Sequence, residues 1–210
     1  MGRGELLQDV RRVVDSGVRR IVERRIREFK QTGRMGDEAW FKEMCFCILT
    51  ANYSALGALR MWSIVGDGFI TWPEERLRMA LKTLGHRFPN TRARYIVEAR
   101  KHLGGLKERI LKQPSENAAR MMLARDVKGL GMKEASHFLR NVGFDNLAII
   151  DFHVLNLLER YGVIVRPKTL TRRRYLTIEA LMRGIAQELG LTLSRLDLYL
   201  WYLETGRVLK

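Results

Sequence analysis

Cysteine is almost missing from this chain: only Cys45 and Cys47 occur, spaced C-x-C inside an apolar run. Two cysteines cannot build a four-cysteine zinc or iron–sulfur site. The expectation is a pair of buried free thiols in a reducing compartment. Long apolar runs are missing too, and none approaches the ~18 residues that cross a bilayer. The opening "MGRGELLQDVRR" has no apolar segment of the signal-peptide kind, and Leu6 stands where N-myristoylation prefers Ser or Thr. No stretch alternates with period two for long enough to form a sheet. Asn and Gln are scarce, a composition of the kind thermophiles favour. Acidic residues are also in deficit: 23 Asp and Glu face 38 Lys and Arg, which leaves a net charge of +15. With no membrane segment in view, that excess points to a nucleic-acid partner.

What is present is helical periodicity. The 210 residues, 46% of them apolar, suffice for one domain or two small lobes. Over 6–29, apolar residues recur at helical spacing from Leu6 to Phe29, with arginines on the remaining faces. "KQTGRMGDEAW" is a break, with Asp37 as the expected cap of a buried helix over 38–52. "TWPEERLRMALKTLG" starts a helix at Pro73, with acids in its first turn. "FPNTRARYIVEARKHL" opens another after Pro89, capped by Asn90 or Thr91, and "SENAARMMLARDV" a third, capped by Ser115. "LTIEALMRGIAQELGL" and "LSRLDLYLWYLETG" follow near the end of the sequence. The predicted fold class is all-α, with roughly ten short helices.

The stretch "VKGLGMKEASHFLRNVGFDNLAIIDFHV", residues 127–154, carries the chemistry. Gly129 and Gly131 flank Leu130, and a helix starts near Met132. Glycine permits positive φ and removes the Cβ, so the backbone can approach another molecule closely. Free N–H groups at a helix start suit a phosphate. Asp151 lies 18 residues after Lys133, at the end of "LAII" and the start of the next helix. Taken alone, it is an ordinary N-cap.

Together these features resemble a helix-hairpin-helix, Gly-x-Gly-x-Lys, followed by Asp-x-His. They are similar to the superfamily of bifunctional DNA glycosylases that includes endonuclease III and the 8-oxoguanine glycosylases. The resemblance implies that Lys133 is the nucleophile and Asp151 its electrostatic partner. It gives Gly129, Gly131, Lys128 and His153 to the DNA backbone, with a structural role as the alternative for His153. Lacking a C-terminal cysteine cluster and an N-terminal β-rich region, the chain is most similar to the compact archaeal-type 8-oxoguanine DNA glycosylase/AP lyases. "CILTANYSA", "RFPNTRARYI", "IIDFHV" and "YLWYLETGRVLK" also take part in that similarity.

The resemblance implies two helical lobes with the active site in the cleft between them. One lobe spans 36–143 and ends in the hairpin at about 116–143; the other joins 1–35 to 144–210. It also implies a base flipped out of damaged double-stranded DNA, with Phe88, Trp201 and Lys210 lining the pocket and Asn52 filling the gap. Core packing is the alternative for Trp201, and a helix C-cap for Asn52. The implied protein is a monomer that works inside the cell, in the cytoplasm or at the nucleoid, with no metal and no cofactor. Two other functions stay open on the sequence: a glycosylase/lyase for oxidised pyrimidines, and a DNA-binding protein that uses the hairpin only as a grip.

Overall fold

The computed structural model of the chain describes residues 2–210, and every regular element among them is helical. In chain order these are α1 (Arg3–Val14), α2 (Val18–Arg34), α3 (Asp37–Thr50), α4 (Ala55–Val65), α5 (Gly68–Thr71), α6 (Glu74–Thr83) and α7 (Pro89–Ala99). A 3-10 turn (Arg100–His102) precedes α8 (Leu106–Leu111), α9 (Glu116–Asp126), α10 (Met132–Asn141), α11 (Phe152–Arg160), α12 (Arg172–Glu188) and α13 (Leu193–Thr205).

Several local expectations need correction. The periodic stretch over 6–29 is two helices, not one. Ser16 turns its hydroxyl onto the Val13 carbonyl at 2.7 Å and accepts the Val18 N–H at 3.2 Å, which breaks the ladder. The helices α5 and α8 were too short to show a period. Asp37 is the first residue of α3 rather than its cap; its carboxylate accepts the Gly105 and Lys107 N–H groups, each at 2.8 Å. The cap of α7 is Phe88, because Pro89 takes the first helical position, where its missing N–H costs nothing. Ser115 does cap α9, accepting the Ala118 N–H at 3.1 Å.

The described residues form two compact units, 32–142 and 2–31 with 143–210. In the first, α3 is the core. From Trp40 to Leu49 every residue except Lys42 is buried, Cys45 and Cys47 included, and both cysteines are free thiols. Burial pushes the Cys45 thiol well above its ordinary pKa, so it is inert packing. Around α3 pack α4, α5, α7, α8 and α10. Truncating one of its large side chains, such as Phe41 to Ala, costs about 3–5 kcal/mol. Trp40 meets Phe138 of α10 edge-on at 6.1 Å, and Asn141 donates to the buried Glu43 carboxylate at 3.0 Å. Arg120 of α9 is fully buried and reaches Asn117 at 2.7 Å and Ser136 of α10 at 3.3 Å, which ties the two hairpin helices together.

In the other unit, α13 packs against α1, α11 and α12. The run 144–150 has no regular structure, yet Leu147, Ala148, Ile149 and Ile150 are buried. Buried backbone groups need partners, and side chains supply them here. Glu179 accepts the Ala148 N–H at 2.9 Å. The Tyr175 hydroxyl donates to the Ala148 carbonyl at 2.7 Å and accepts the Ile150 N–H at 3.3 Å. Upstream, Lys30 bonds the Gly143 carbonyl at 2.5 Å and pairs with Asp145, and Ser194 donates from Oγ to the Phe144 carbonyl at 2.8 Å. The run therefore delivers Asp151 to a fixed place at the start of α11. Tyr175→Phe should leave two buried backbone groups unpaired and lower the unfolding free energy by about 3 kcal/mol, measured by urea denaturation. A loss near zero would mean that water replaces the hydroxyl.

Candidate active site

The hairpin turn runs from Val127 to Gly131. Leu130 is buried, and its N–H bonds the Val127 carbonyl at 3.2 Å. Gly129 has φ +90°, a conformation that side chains avoid. A Cβ there would lie 2.7 Å from the Tyr95 ring of α7. The absent side chain is thus required by packing inside this unit, before any DNA approaches. Gly131 caps α10, and its N–H is taken by Glu134 Oε2 at 3.2 Å. The amides of Met132 and Lys133 head the helix. Lys128 extends outward and pairs with Glu98 of α7 at 2.9 Å, which holds Glu98 below the usual carboxylate range.

Lys133 stands at the second position of α10, with 22% of its side chain exposed. Its Nζ lies 3.2 Å from Glu134 Oε1. One carboxylate thus bridges the hairpin amide and the lysine. Glu134 went unnoticed in the sequence, although Gly131-x-x-Glu134 has the spacing of a capping box.

In the unit of residues 2–31 and 143–210, Asp151 caps α11: its Oδ1 accepts the Val154 N–H at 2.9 Å. No described residue bonds its Oδ2, so half of the carboxylate remains available to a positive centre. His153 contacts the Phe152 ring at 3.8 Å and meets Trp201 of α13 edge-on at 4.8 Å. His153 thus has a packing role between Phe152 and Trp201. Trp201 is part-exposed, and its Nε1 is buried with no hydrogen-bond partner. A buried indole N–H normally finds an acceptor. The α13 helix ends at Gly206, in the left-handed conformation, and Lys210 beyond it is partly buried.

Phe88 and Asn52 both belong to the unit of residues 32–142. Phe88 is 38% exposed, with the Arg87 and Arg92 guanidinium groups 5.0 and 5.9 Å from its ring centroid. Asn52 is exposed and has φ +54°, the one non-glycine residue in that region among those described. It sits one position past the cap of α3, which is Ala51.

A family model described as 8-oxoguanine DNA glycosylase matches residues 22–191. The chain is 52% identical to an 8-oxoguanine DNA glycosylase/AP lyase of Korarchaeum cryptofilum, over 100% of both chains. It is 50% identical to that of Methanocaldococcus jannaschii, over 98% of this chain and 99% of the other. The crystal structure of the M. jannaschii 8-oxoguanine glycosylase/lyase with a 15mer DNA containing 8-oxoguanine superposes with a TM-score of 0.96 at 49% identity, covering 98% and 100% of the two chains. The 8-oxoguanine DNA glycosylase of Thermotoga maritima gives 0.93 at 44% identity, covering 99% and 100%.

Glu134 is open to test. Glu134→Ala removes the bond to the Gly131 N–H and should cost about 1 kcal/mol, whereas Glu134→Gln keeps an acceptor and should cost less. Chemical denaturation of the two variants checks this, and equal losses would mean that the capping bond contributes nothing.

Proposed function

The chain belongs to the 8-oxoguanine DNA glycosylase family, and we propose that it performs its reaction with Lys133 as nucleophile and Asp151 as electrostatic partner. The overall activity is that of a bifunctional enzyme: it releases 8-oxoguanine from DNA and cleaves the strand at the resulting abasic site. The relatives' names favour this over oxidised pyrimidines or a mere grip on DNA.

The observation that carries the residue assignment is the state of the two side chains. Lys133 is an amine at the mouth of a hairpin, mostly covered yet still reachable. Asp151 is a carboxylate with one oxygen fixed by a helix cap and the other open. Breaking the bond from C1′ to the base builds positive charge on the sugar, and a fixed anion stabilises it. The Lys133 nitrogen, once neutral, attacks C1′ and forms a Schiff base. That acidifies C2′; loss of its proton expels the 3′ phosphate as the C3′–O bond breaks. Asp151 serves without reorganising because the cap already holds it.

Our reading gives one catalytic group to each unit and needs a single copy of the chain. Phe88 and Trp201 supply aromatic faces for a flipped purine, and the partnerless Trp201 N–H and Lys210 supply polar contacts. Asn52, exposed on its tight turn, fills the gap that the base leaves. Genomic DNA as substrate places the work inside the cell.

Lys133→Gln should abolish borohydride trapping on a damaged duplex while DNA affinity stays within a few fold, because backbone amides and other cations carry the binding. Trapping at the wild-type level would move the nucleophile elsewhere. Deleting Val208–Lys210 should reduce 8-oxoguanine excision sharply and affect cleavage of a pre-formed abasic site much less, since that substrate has no base to read. Equal losses on both substrates would give the tail a supporting role only.

A further inference from the structure

We propose that His86 is a positioning residue that locks Phe88 and the Asn52 turn into one piece, so that action on the damaged base depends on it and action on a pre-formed abasic site does not. The inference rests on the reading of Phe88 as pocket wall and Asn52 as gap filler.

His86 lies between α6 and α7 and is 5% exposed. The Phe88 N–H donates to its Nδ1 at 3.0 Å. That nitrogen therefore carries no proton, so Nε2 carries the hydrogen and donates to the Leu49 carbonyl at 3.1 Å. One neutral ring thus joins the backbone of Phe88 to the last turn of α3, three residues before Asn52. The ring also stacks on Tyr53, the neighbour of Asn52, with centroids 4.3 Å apart and planes 27° apart. Tyr53 is held from two further sides. Its hydroxyl donates to the Gly85 carbonyl at 3.0 Å, and its ring covers Gly57, where a Cβ would come within 2.6 Å. Arg92, buried at the start of α7, donates to the Ala51 carbonyl at 2.6 Å and closes the bracket.

Both side chains are exposed, yet the Phe88 amide is bonded to the imidazole and the Asn52 turn is flanked by two of its contacts, the Leu49 carbonyl and the Tyr53 ring. Asn52 has a left-handed φ that an asparagine adopts only at some cost, and Phe88 is a cap residue outside the helical ladder. Among the described residues, no other acceptor meets the Phe88 amide. A gap filler and a stacking wall act on one flipped nucleotide, so a shift between them spoils base capture. Once the base is gone, the lyase step uses Lys133 and needs neither.

The charged or titratable groups that act on the ring are Arg92 from α7 and Tyr53, and Arg87, next in the chain, lies over Phe88. Burial, with Arg92 adding, holds the imidazole below its ordinary range, and the Leu49 carbonyl opposes this. The neutral form is therefore the native one. Acid places a proton on Nδ1 and turns the acceptor of the Phe88 N–H into a donor facing a donor. Since the folded state favours the neutral ring, the bracket is intact above the ordinary histidine range and is lost as pH falls below it.

The test measures single-turnover 8-oxoguanine excision and pre-formed abasic-site cleavage side by side across that pH range. For the wild type, the ratio of excision to cleavage should fall in acid. His86→Ala should lower the ratio about tenfold or more above the histidine range, where the wild-type ring is neutral, and remove the fall in acid. His86→Asn keeps an oxygen acceptor for Phe88 but does not titrate; it should recover part of the ratio and flatten its pH dependence. A purely structural role would lower both activities together, along with the melting temperature, and leave the ratio and its pH dependence unchanged; that result overturns the inference. Phe88→Ala tests the reading beneath it. Unchanged excision in Phe88→Ala removes Phe88 from the pocket, whereas lost excision there with an unchanged ratio in His86→Ala overturns the role of His86 alone.

Discussion

A cation in the first turn of a helix works against the helix dipole and the free N–H groups around it. Lys133, at the second position of α10, is such a cation. Glu134 is what makes it tolerable. Its carboxylate sits 3.2 Å from the lysine and 3.2 Å from the Gly131 amide, so it offsets the ammonium and caps the helix at once. The rest of the hairpin follows from this arrangement. A Cβ on Gly131 would lie 3.1 Å from that carboxylate, so the carboxylate would have to give by a few tenths of an ångström. The helix behind it must not move, and seven consecutive buried residues, Ala135–Asn141, together with Arg120, hold it.

Asp151 illustrates the opposite relation between stability and chemistry. An aspartate at an N-cap stabilises its helix, and in the proposed mechanism the same fixation readies its other oxygen for a sugar cation. Its place costs the fold something upstream: seven residues, 144–150, outside any regular element, four of them buried. Tyr175 and Glu179 of α12 offset that cost by supplying hydrogen bonds. The two proposed catalytic groups are thus both helix-start residues, one that its helix favours and one that it resists. A local rule broken at a functional position and repaired by neighbours is what a site under selection for chemistry leaves behind.

This contrast also explains what was legible in the sequence. Helical class was plain because apolar residues recur at helical spacing and no stretch alternates. Lys133 and Asp151 stood out through motif spacing and polarity. Ser115 was readable as a cap because capping is local. Tyr175 and Glu179 were not, because they lie 25 or more residues from the backbone they serve. The break at Asp15–Gly17 was hidden because the periodicity resumes almost in phase after it. Gly129 was read as an opening for DNA, but the first thing to fill that space is Tyr95, a contact that no local pattern announces. His86 carried no motif at all; its meaning comes from three partners, one at each ring nitrogen and one stacked on the ring face.

The central claim is that the nitrogen at the head of α10 takes up the sugar. The most direct measurement is peptide mapping by mass spectrometry of the adduct formed when wild-type protein is reduced with borohydride on a duplex containing 8-oxoguanine. The account predicts the sugar remnant on Lys133. A remnant on any other amine of this chain would contradict it.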